Sequence, residues 1–200
     1  MLLHFYVEEM SAEVALLELV PKVLAGLDFE YDIFSFQGKP ALLRHLPNRL
    51  KIYKHRPGDD WRVFVLADRD SDDCKELKKE LERIAASVGL ETRTASPDRF
   101  TVVNRIVIEE LEAWYFGDVD AIVAAYPRVS RHLASQRRFR DPDAVPGGTW
   151  EQLERLLVDY HPGGLEKIRA AQEISVHMDP RRNRSRSFQV FRDALLDVFK

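Results

Sequence analysis

Cysteine is nearly absent from this chain. Cys74 stands alone, which excludes an internal disulfide framework and suits a reducing, cytoplasmic compartment. No apolar run approaches the roughly 18 residues of a membrane helix. The opening residues have no basic stretch before Glu8 and Glu9, so no signal peptide is expected. Internal repeats and low-complexity segments are missing as well. His161 and His177 have no partners at zinc-ligand spacing, so no zinc site is expected. What remains is a 200-residue chain, 45% hydrophobic and 32% charged, with enough apolar material for one domain or for a core with an appendage.

The net charge of −3 is unevenly spread. Residues 1–127 carry 16 Lys and Arg against 23 Asp and Glu, whereas residues 128–192 carry 13 against 8. An acidic half beside a basic half suits a metal site next to a polyanion-binding surface; a chance spread of solvated side chains gives the same totals.

Leu2 to Val7 is an apolar run that predicts a buried strand closed by Glu8 and Glu9. Ser11 is placed as an N-cap for a helix from Ala12 to about Leu24, which Pro21 should kink or divide. Phe29 to Phe36 alternates as a strand and Gly38-Lys39-Pro40 breaks it. Ala41 to Tyr53 reads as a helix interrupted at Pro47, and residues 57–60 as a turn. Val63 to Ala67 predicts a third strand, followed by a helix from Ser71 to Val88 with Gly89 as its stop. Thr101 to Ile108 predicts a fourth strand, Glu109 to Phe116 a helix, and Val119 to Tyr126 another capped by Asp118. Strand and helix alternate four times, which predicts an α/β fold with a mostly parallel sheet flanked by helices over residues 1–126. Residues 127–200 have no convincing strand. Arg137 to Thr149 reads as loop, and Trp150 to Val158, Leu165 to Ser175 and Phe188 to Phe199 read as helices of a basic C-terminal extension.

The third strand ends in Asp68, Asp70, Asp72 and Asp73, four acids within six positions. Carboxylates at the carboxyl end of a strand point into the crevice where open α/β sheets hold ligands. In an extended chain Asp68 and Asp70 project to the same side, and a hard cation such as Mg²⁺ relieves their repulsion. Glu8, at the end of the first strand, can join them. Asp72 and Asp73 are better explained as charge at a helix N-terminus. Glu109 and Glu112 are three apart and would share a helix face, adding ligands or a base. Lys39 after the second strand can contact a phosphate as a point charge, although the motif is too short for a P-loop. Trp114, Tyr115 and Phe116 read as core rather than a stacking platform. Arg181, Arg182, Arg184 and Arg186, interleaved with Asn183, Ser185 and Ser187, read as a loop for a nucleic-acid backbone or as a docking surface for an acidic partner.

The stretch from Phe5 to Glu13 together with Leu66-Ala-Asp68-Arg-Asp70 resembles the Toprim pattern, in which a strand-ending glutamate and a strand-ending Asp-x-Asp hold Mg²⁺. It is similar to the Toprim nuclease domain of the overcoming-lysogenisation-defect proteins, with Glu9 where glycine is usual. Phe36-Gln-Gly-Lys39, the stretch from Ile108 to Asp118, and Asn183 to Phe188 are similar to a bacterial family within that superfamily, the domain-of-unknown-function 4276 family. The resemblance implies Glu8, Asp68 and Asp70 as metal ligands with Glu112 and Glu109 assisting. It also implies a phage-defence setting beside a partner ATPase.

The expectation is therefore a cytoplasmic nuclease hydrolysing DNA or RNA with Mg²⁺ or Mn²⁺. Glu8, Asp68, Asp70 and Glu112 would be catalytic, Glu8, Asp68, Asp70 and Glu109 would bind the metal, and Lys39 with the four arginines would hold the nucleic acid. Glu112 is the candidate to bridge to a second metal. No tyrosine has a claim as covalent nucleophile, which favours hydrolysis over strand passage. A homo-oligomer is compatible with the sequence. The alternative from another class is a catalytically silent regulatory subunit of an ATPase complex. A receiver-like phosphotransfer domain also holds Mg²⁺ at strand ends, but Lys39 and the basic tail suit it poorly.

Overall fold

A computed structural model describes residues 1–56, 60–70 and 72–200. Its α/β architecture matches the alternation in the sequence. Strands β1 (Leu2–Val7), β2 (Glu30–Ser35), β3 (Trp61–Asp68) and β4 (Val102–Val107) form one sheet in the order β2-β1-β3-β4. β1 pairs in parallel with both neighbours, with Val7 opposite Ser35 on one side and Leu66 on the other. Eight α-helices are present among the described residues: α1 (Met10–Val23), α2 (Lys39–Lys51), α3 (Cys74–Ser87), α4 (Glu112–Gly117), α5 (Val119–Ala125), α6 (Thr149–Leu156), α7 (Lys167–Ser175) and α8 (Arg186–Asp197). None of them is long and apolar enough to cross a membrane. The predicted turn at 57–60 lies, for residues 57–59, outside the described residues.

The chain divides into two units, residues 1–13 with 26–106, and residues 14–25 with 107–200. In the first, period-two alternation sends Trp61, Val63, Val65 and Ala67 of β3 and Tyr6 of β1 into one core layer with Leu42, Leu46 and Leu50 of α2 and Leu77, Leu81 and Ile84 of α3. The other side of the strands is equally buried at Leu3, Phe5, Val7, Phe64 and Leu66, with Phe5 stacked on Phe64. Strands buried on both faces explain why β1 and β3 read as continuous apolar runs. In the second unit Trp114 packs against Phe188 and Phe191, and Phe116 stacks on Phe139. Lys22 of α1 donates to the carbonyls of Ser175, Val176 and Met178 and so adds a cationic donor at the C-terminal end of α7.

Several predicted boundaries move, each for a local reason. Ser11 lies inside α1, which begins at Met10, so it is not the cap. Pro21 does not divide that helix, because it sits in the last turn, so its ring and its lost hydrogen bond affect only the helix end. Gly38-Lys39-Pro40 starts α2 rather than merely ending β2: Gly38 takes φ 86° and Pro40 falls in the first turn, where its lack of an N–H is harmless. Pro47 does not interrupt α2, whose apolar stripe Leu42, Leu46, Leu50 holds it against the core. The helix predicted from Ser71 begins at Cys74, with Asp73 as its cap rather than in its first turn, and Ser71 lies outside the described residues. Arg137–Phe139 and Pro142–Ala144 form short 3-10 turns in the stretch read as loop.

A buried polar chain braces the first unit. Tyr6 and Tyr53 share a hydrogen bond of 3.0 Å, Tyr53 bonds His4 Nδ1, and His4 Nε2 faces the exposed Asp32 at 3.4 Å. Burial lowers the His4 pKa below its ordinary 6.5; Asp32 pulls it upward and Arg56 pushes it down. The folded chain thus holds His4 neutral, and the unfolded chain takes up its proton first on acidification. His4 stabilises the fold fully above its unfolded pKa and loses that contribution below it. Urea unfolding of the wild type should therefore show a larger stability loss between about pH 7.5 and about pH 5.5 than His4→Asn does. Identical pH slopes in the two proteins would contradict this assignment.

Candidate functional site at the carboxyl edge of the sheet

The strand order β2-β1-β3-β4 reverses between β1 and β3, because the chain leaves β1 to one side and later returns to the other. Open α/β sheets bind ligands at that switch point, outside the carboxyl ends of the strands. Glu8 closes β1 there and Asp68 closes β3.

Glu8 is 7% exposed. Its carboxylate accepts the backbone N–H of Asp68 at 3.1 Å and the backbone N–H of Lys39, while its carbonyl accepts from Gly38 N–H at 3.0 Å. One residue therefore joins the ends of β1 and β3 to the N-terminus of α2, an end that favours negative charge. Burial pushes the Glu8 carboxyl above the ordinary carboxylate range. The two N–H groups and the Lys39 charge oppose the shift, and the Asp70 charge adds to it.

Lys39 is the first residue of α2, and its side chain is 11% exposed. Its ammonium lies 2.8 Å from Asp70 and 2.7 Å from Asp72 and donates to the Arg69 carbonyl at 3.3 Å. Burial alone would lower its pKa, but the hydrogen bonds to Asp70 and Asp72 and the charges of Asp70 and Glu8 outweigh this, so its pKa is raised. Asp70 itself has φ 48°, so the chain is no longer extended there and the same-side rule stops at Asp68. Asp70 reaches the edge through Lys39 instead. Asp72 is a partner of Lys39 that helix-terminal charge alone does not explain. Asp73 has the capping role, accepting from the N–H groups of Lys75 and Glu76. Glu13, in the first turn of α1, accepts from the Ser35 hydroxyl at the end of β2.

The expected helix face shared by Glu109 and Glu112 does not form. Glu109 takes φ 61° and the helix begins only at Glu112, because a tight turn precedes α4. Both residues lie in the second unit. Glu112 is 1% exposed within it. Glu110 has a structural role that sequence reading missed. Its carboxylate accepts from the Thr149 hydroxyl and the Trp150 N–H, capping α6 in place of the side-chainless Gly148.

The basic segment alternates. Arg181, Arg182, Arg184 and Arg186 are exposed, whereas Asn183, Ser185 and Ser187 are buried. Asn183 donates to the Trp114 carbonyl and accepts the Ser185 N–H; Ser185 caps α8 by accepting the Phe188 N–H; Ser187 accepts from the Ile108 N–H and the Trp114 indole. Asp143 accepts from the Ser185 hydroxyl and from the N–H groups of Arg186 and Ser187. Half of the motif is thus a lock on α4 and α8. Arg182 also has a structural partner, at 2.6 Å from the buried Asp118, which caps α5 and accepts the Asp179 N–H.

Trp114, Tyr115 and Phe116 are core, as expected, and Cys74 is half-buried. Among the described residues no group of three or more His, Cys, Asp or Glu side chains is drawn close enough to form a ready-made metal cage. Mg²⁺ does not require one, because it is commonly held by one or two carboxylates plus water and substrate phosphate. The all-oxygen donors Glu8, Asp68 and Asp70 fit such a cation chemically.

A family model described as a domain of unknown function (DUF4276) matches residues 7–196, and the chain belongs to that family. No curated protein and no solved structure matches the chain.

Gly117 packs closely against residues 183–185. A Cβ there would stand 2.1 Å from Asn183 Oδ1 and 2.9 Å from the Ser185 backbone nitrogen. Gly117→Ala should destabilise the protein by about 1–3 kcal/mol in chemical denaturation. An unchanged midpoint would show that the Asn183 lock is looser than described.

Proposed function

We propose that this member of the DUF4276 family is a metal-dependent nuclease of Toprim type that hydrolyses phosphodiester bonds of DNA or RNA at the carboxyl edge of its sheet. The observation that carries the reading is the junction of Glu8 and Asp68 across the β1–β3 switch point, with Asp70 and Asp72 gathered beside it by Lys39. Glu8, Asp68 and Asp70 are the residues that would hold Mg²⁺ or Mn²⁺. Such an ion, when bound, supplies a water of lowered pKa and offsets charge developing on a phosphate.

The chain's own contribution is placement. The Asp68 and Lys39 N–H groups fix the Glu8 carboxylate, and its burial makes a nearby cation favourable. Lys39 pairs with Asp70 and Asp72 at the same edge and suits contact with a phosphate as a point charge. Arg181, Arg184 and Arg186 are exposed and suit contacts with a nucleic-acid backbone, while Arg182 is engaged by Asp118. A phage-defence role beside a partner ATPase belongs to the same reading.

One observation favours a second reading, a catalytically silent regulatory subunit of an ATPase complex. Asp70 and Asp72 already share a cationic partner in Lys39, so two of the acids are held in place by the chain itself.

The two readings separate in a cleavage panel of supercoiled plasmid, single-stranded DNA and total RNA with Mg²⁺ or Mn²⁺ against EDTA. The nuclease reading expects metal-dependent cutting that falls on the order of a hundredfold or more in Asp68→Asn, the scale of losing one transition-state electrostatic contact. No cutting by a folded, metal-binding protein, alone and with its partner ATPase, would favour the regulatory reading.

A further inference from the structure

The charge of α2 is unlike that of its surroundings. Residues 39–56 carry six Lys and Arg and no acid, while the remainder of residues 1–127 carries 10 against 23. Lys39 is held by Asp70 and Asp72. Arg44, Arg49 and Lys51 are exposed, and among the described residues none of the three is paired with a carboxylate. Arg44 donates to His45 and Lys51 to Asn48. A helix with cations and no acids on its open side attracts a polyanion and repels a second copy of itself.

The same helix forms one wall of a groove of about 650 Å³, and the end of β2 forms the other. That volume falls within the roughly 300–1,000 Å³ of ligand pockets. His45, Asn48, Arg49 and Ile52 line it from one face of α2 and its cap, since positions three, four and seven apart lie on one side of a helix. Phe34 and Phe36 line it from β2 and the residue after it. Both phenylalanines pack against the core and are only partly buried. Phe34 is fixed by stacking on Tyr6, with ring centroids 5.1 Å apart. Phe36 faces His45 at 6.3 Å between ring centroids, with the two planes only 10° from parallel. Ile52 is 66% exposed. The groove therefore offers rings, an apolar side chain, an amide and a guanidinium, and no acid lines it.

The groove is joined to the carboxyl edge by the backbone. Phe36 N–H donates to the Val7 carbonyl at 3.1 Å, and Gly38 N–H donates to the Glu8 carbonyl at 3.0 Å. Lys39 opens α2, and His45 follows it by about 9 Å along the helix axis. A strand with one phosphate at Lys39 would bring its neighbouring bases to Phe36 and His45.

We propose that this groove binds an unpaired nucleic-acid strand, whose bases stack on Phe36 and His45 and whose backbone meets Arg49. Rings interleaved with cations are how proteins hold single strands without reading their sequence. A duplex does not suit the groove, because its base faces are already covered by their neighbours. The inference rests on the nuclease reading for the fate of the strand at the edge, and it narrows the substrate to unpaired segments.

Fluorescence anisotropy with short labelled oligothymidine and oligouridine in EDTA reads binding without cleavage. The full chain is expected to hold at least one of them about tenfold or more tightly than the matching duplex. His45→Ala, at an exposed position, and Phe36→Leu, which keeps an apolar side chain, should each weaken that binding about fivefold or more at an unchanged salt slope, the scale of one lost base–ring stack. Arg49→Gln should reduce the salt slope by about one phosphate contact. Arg99→Gln removes an equal charge from an exposed position before β4 and should leave the affinity intact. Equal affinity for duplex and single strand, or affinity unmoved by His45→Ala, overturns the proposal. So does sedimentation as a dimer that His45→Ala returns to a monomer, since a second copy would then cover the groove. His45→Ala decides the matter if Phe36→Leu fails to fold. Ring-dependent binding with no metal-dependent cutting would keep the groove and count against the nuclease reading. Cutting that ignores both ring substitutions would keep the edge and remove the groove.

Discussion

The bond from the Asp68 N–H to the Glu8 carboxylate is the contact on which the arrangement of the acidic edge depends. β1 lies inside the sheet with a parallel neighbour on each side, so its end can meet both the end of β3 and the start of α2. Glu8 uses all three neighbours: Asp68 N–H and Lys39 N–H on its carboxylate, Gly38 N–H on its carbonyl. Placing a carboxylate in so buried a position is costly unless donors and positive charge surround it. The N-terminus of α2 and the Lys39 ammonium offset part of that cost, and burial still leaves the Glu8 carboxyl above its ordinary range. The same lysine then gathers Asp70 and Asp72, two acids beyond the strand end.

The second unit uses its acids differently. Glu110 caps α6, Asp118 caps α5 and holds Arg182, and Asp143 receives the first N–H groups of α8. Each acid answers the unpaired donors of a helix start. Short helices depend on such caps because each has few internal hydrogen bonds of its own. Glu8 also accepts a helix-start N–H, that of Lys39, but it accepts the Asp68 N–H as well and so joins that helix start to the ends of two strands. That contrast is the physical reason for placing the proposed chemistry at the sheet edge.

Much of this was legible in the sequence because burial on both faces leaves a plain mark. Leu2–Val7 and Val63–Ala67 read as strands, and the acids after them located the edge, before any geometry was known. The order of strands, which places β1 beside β3, was not legible, since it depends on which side each crossover takes. The pairing of Lys39 with Asp70 and Asp72 was not legible, because these acids lie 31 and 33 residues away. The pair Glu109 and Glu112 misled because spacing of three implies a shared face only inside a helix, and Glu109 has φ 61°. The basic segment hid a period of two from Arg182 onward: exposed Arg182, Arg184 and Arg186 alternate with Asn183, Ser185 and Ser187, whose role is to tie α4 to α8.

The most direct measurement is paramagnetic broadening of backbone amide signals by sub-stoichiometric Mn²⁺. It needs neither substrate nor partner. The account predicts that broadening centres on the amides of residues 8–9, 38–39 and 68–72 and disappears in Glu8→Gln. Broadening centred instead on the capping acids Glu110, Asp118 or Asp143, or spread evenly over surface carboxylates, would contradict it.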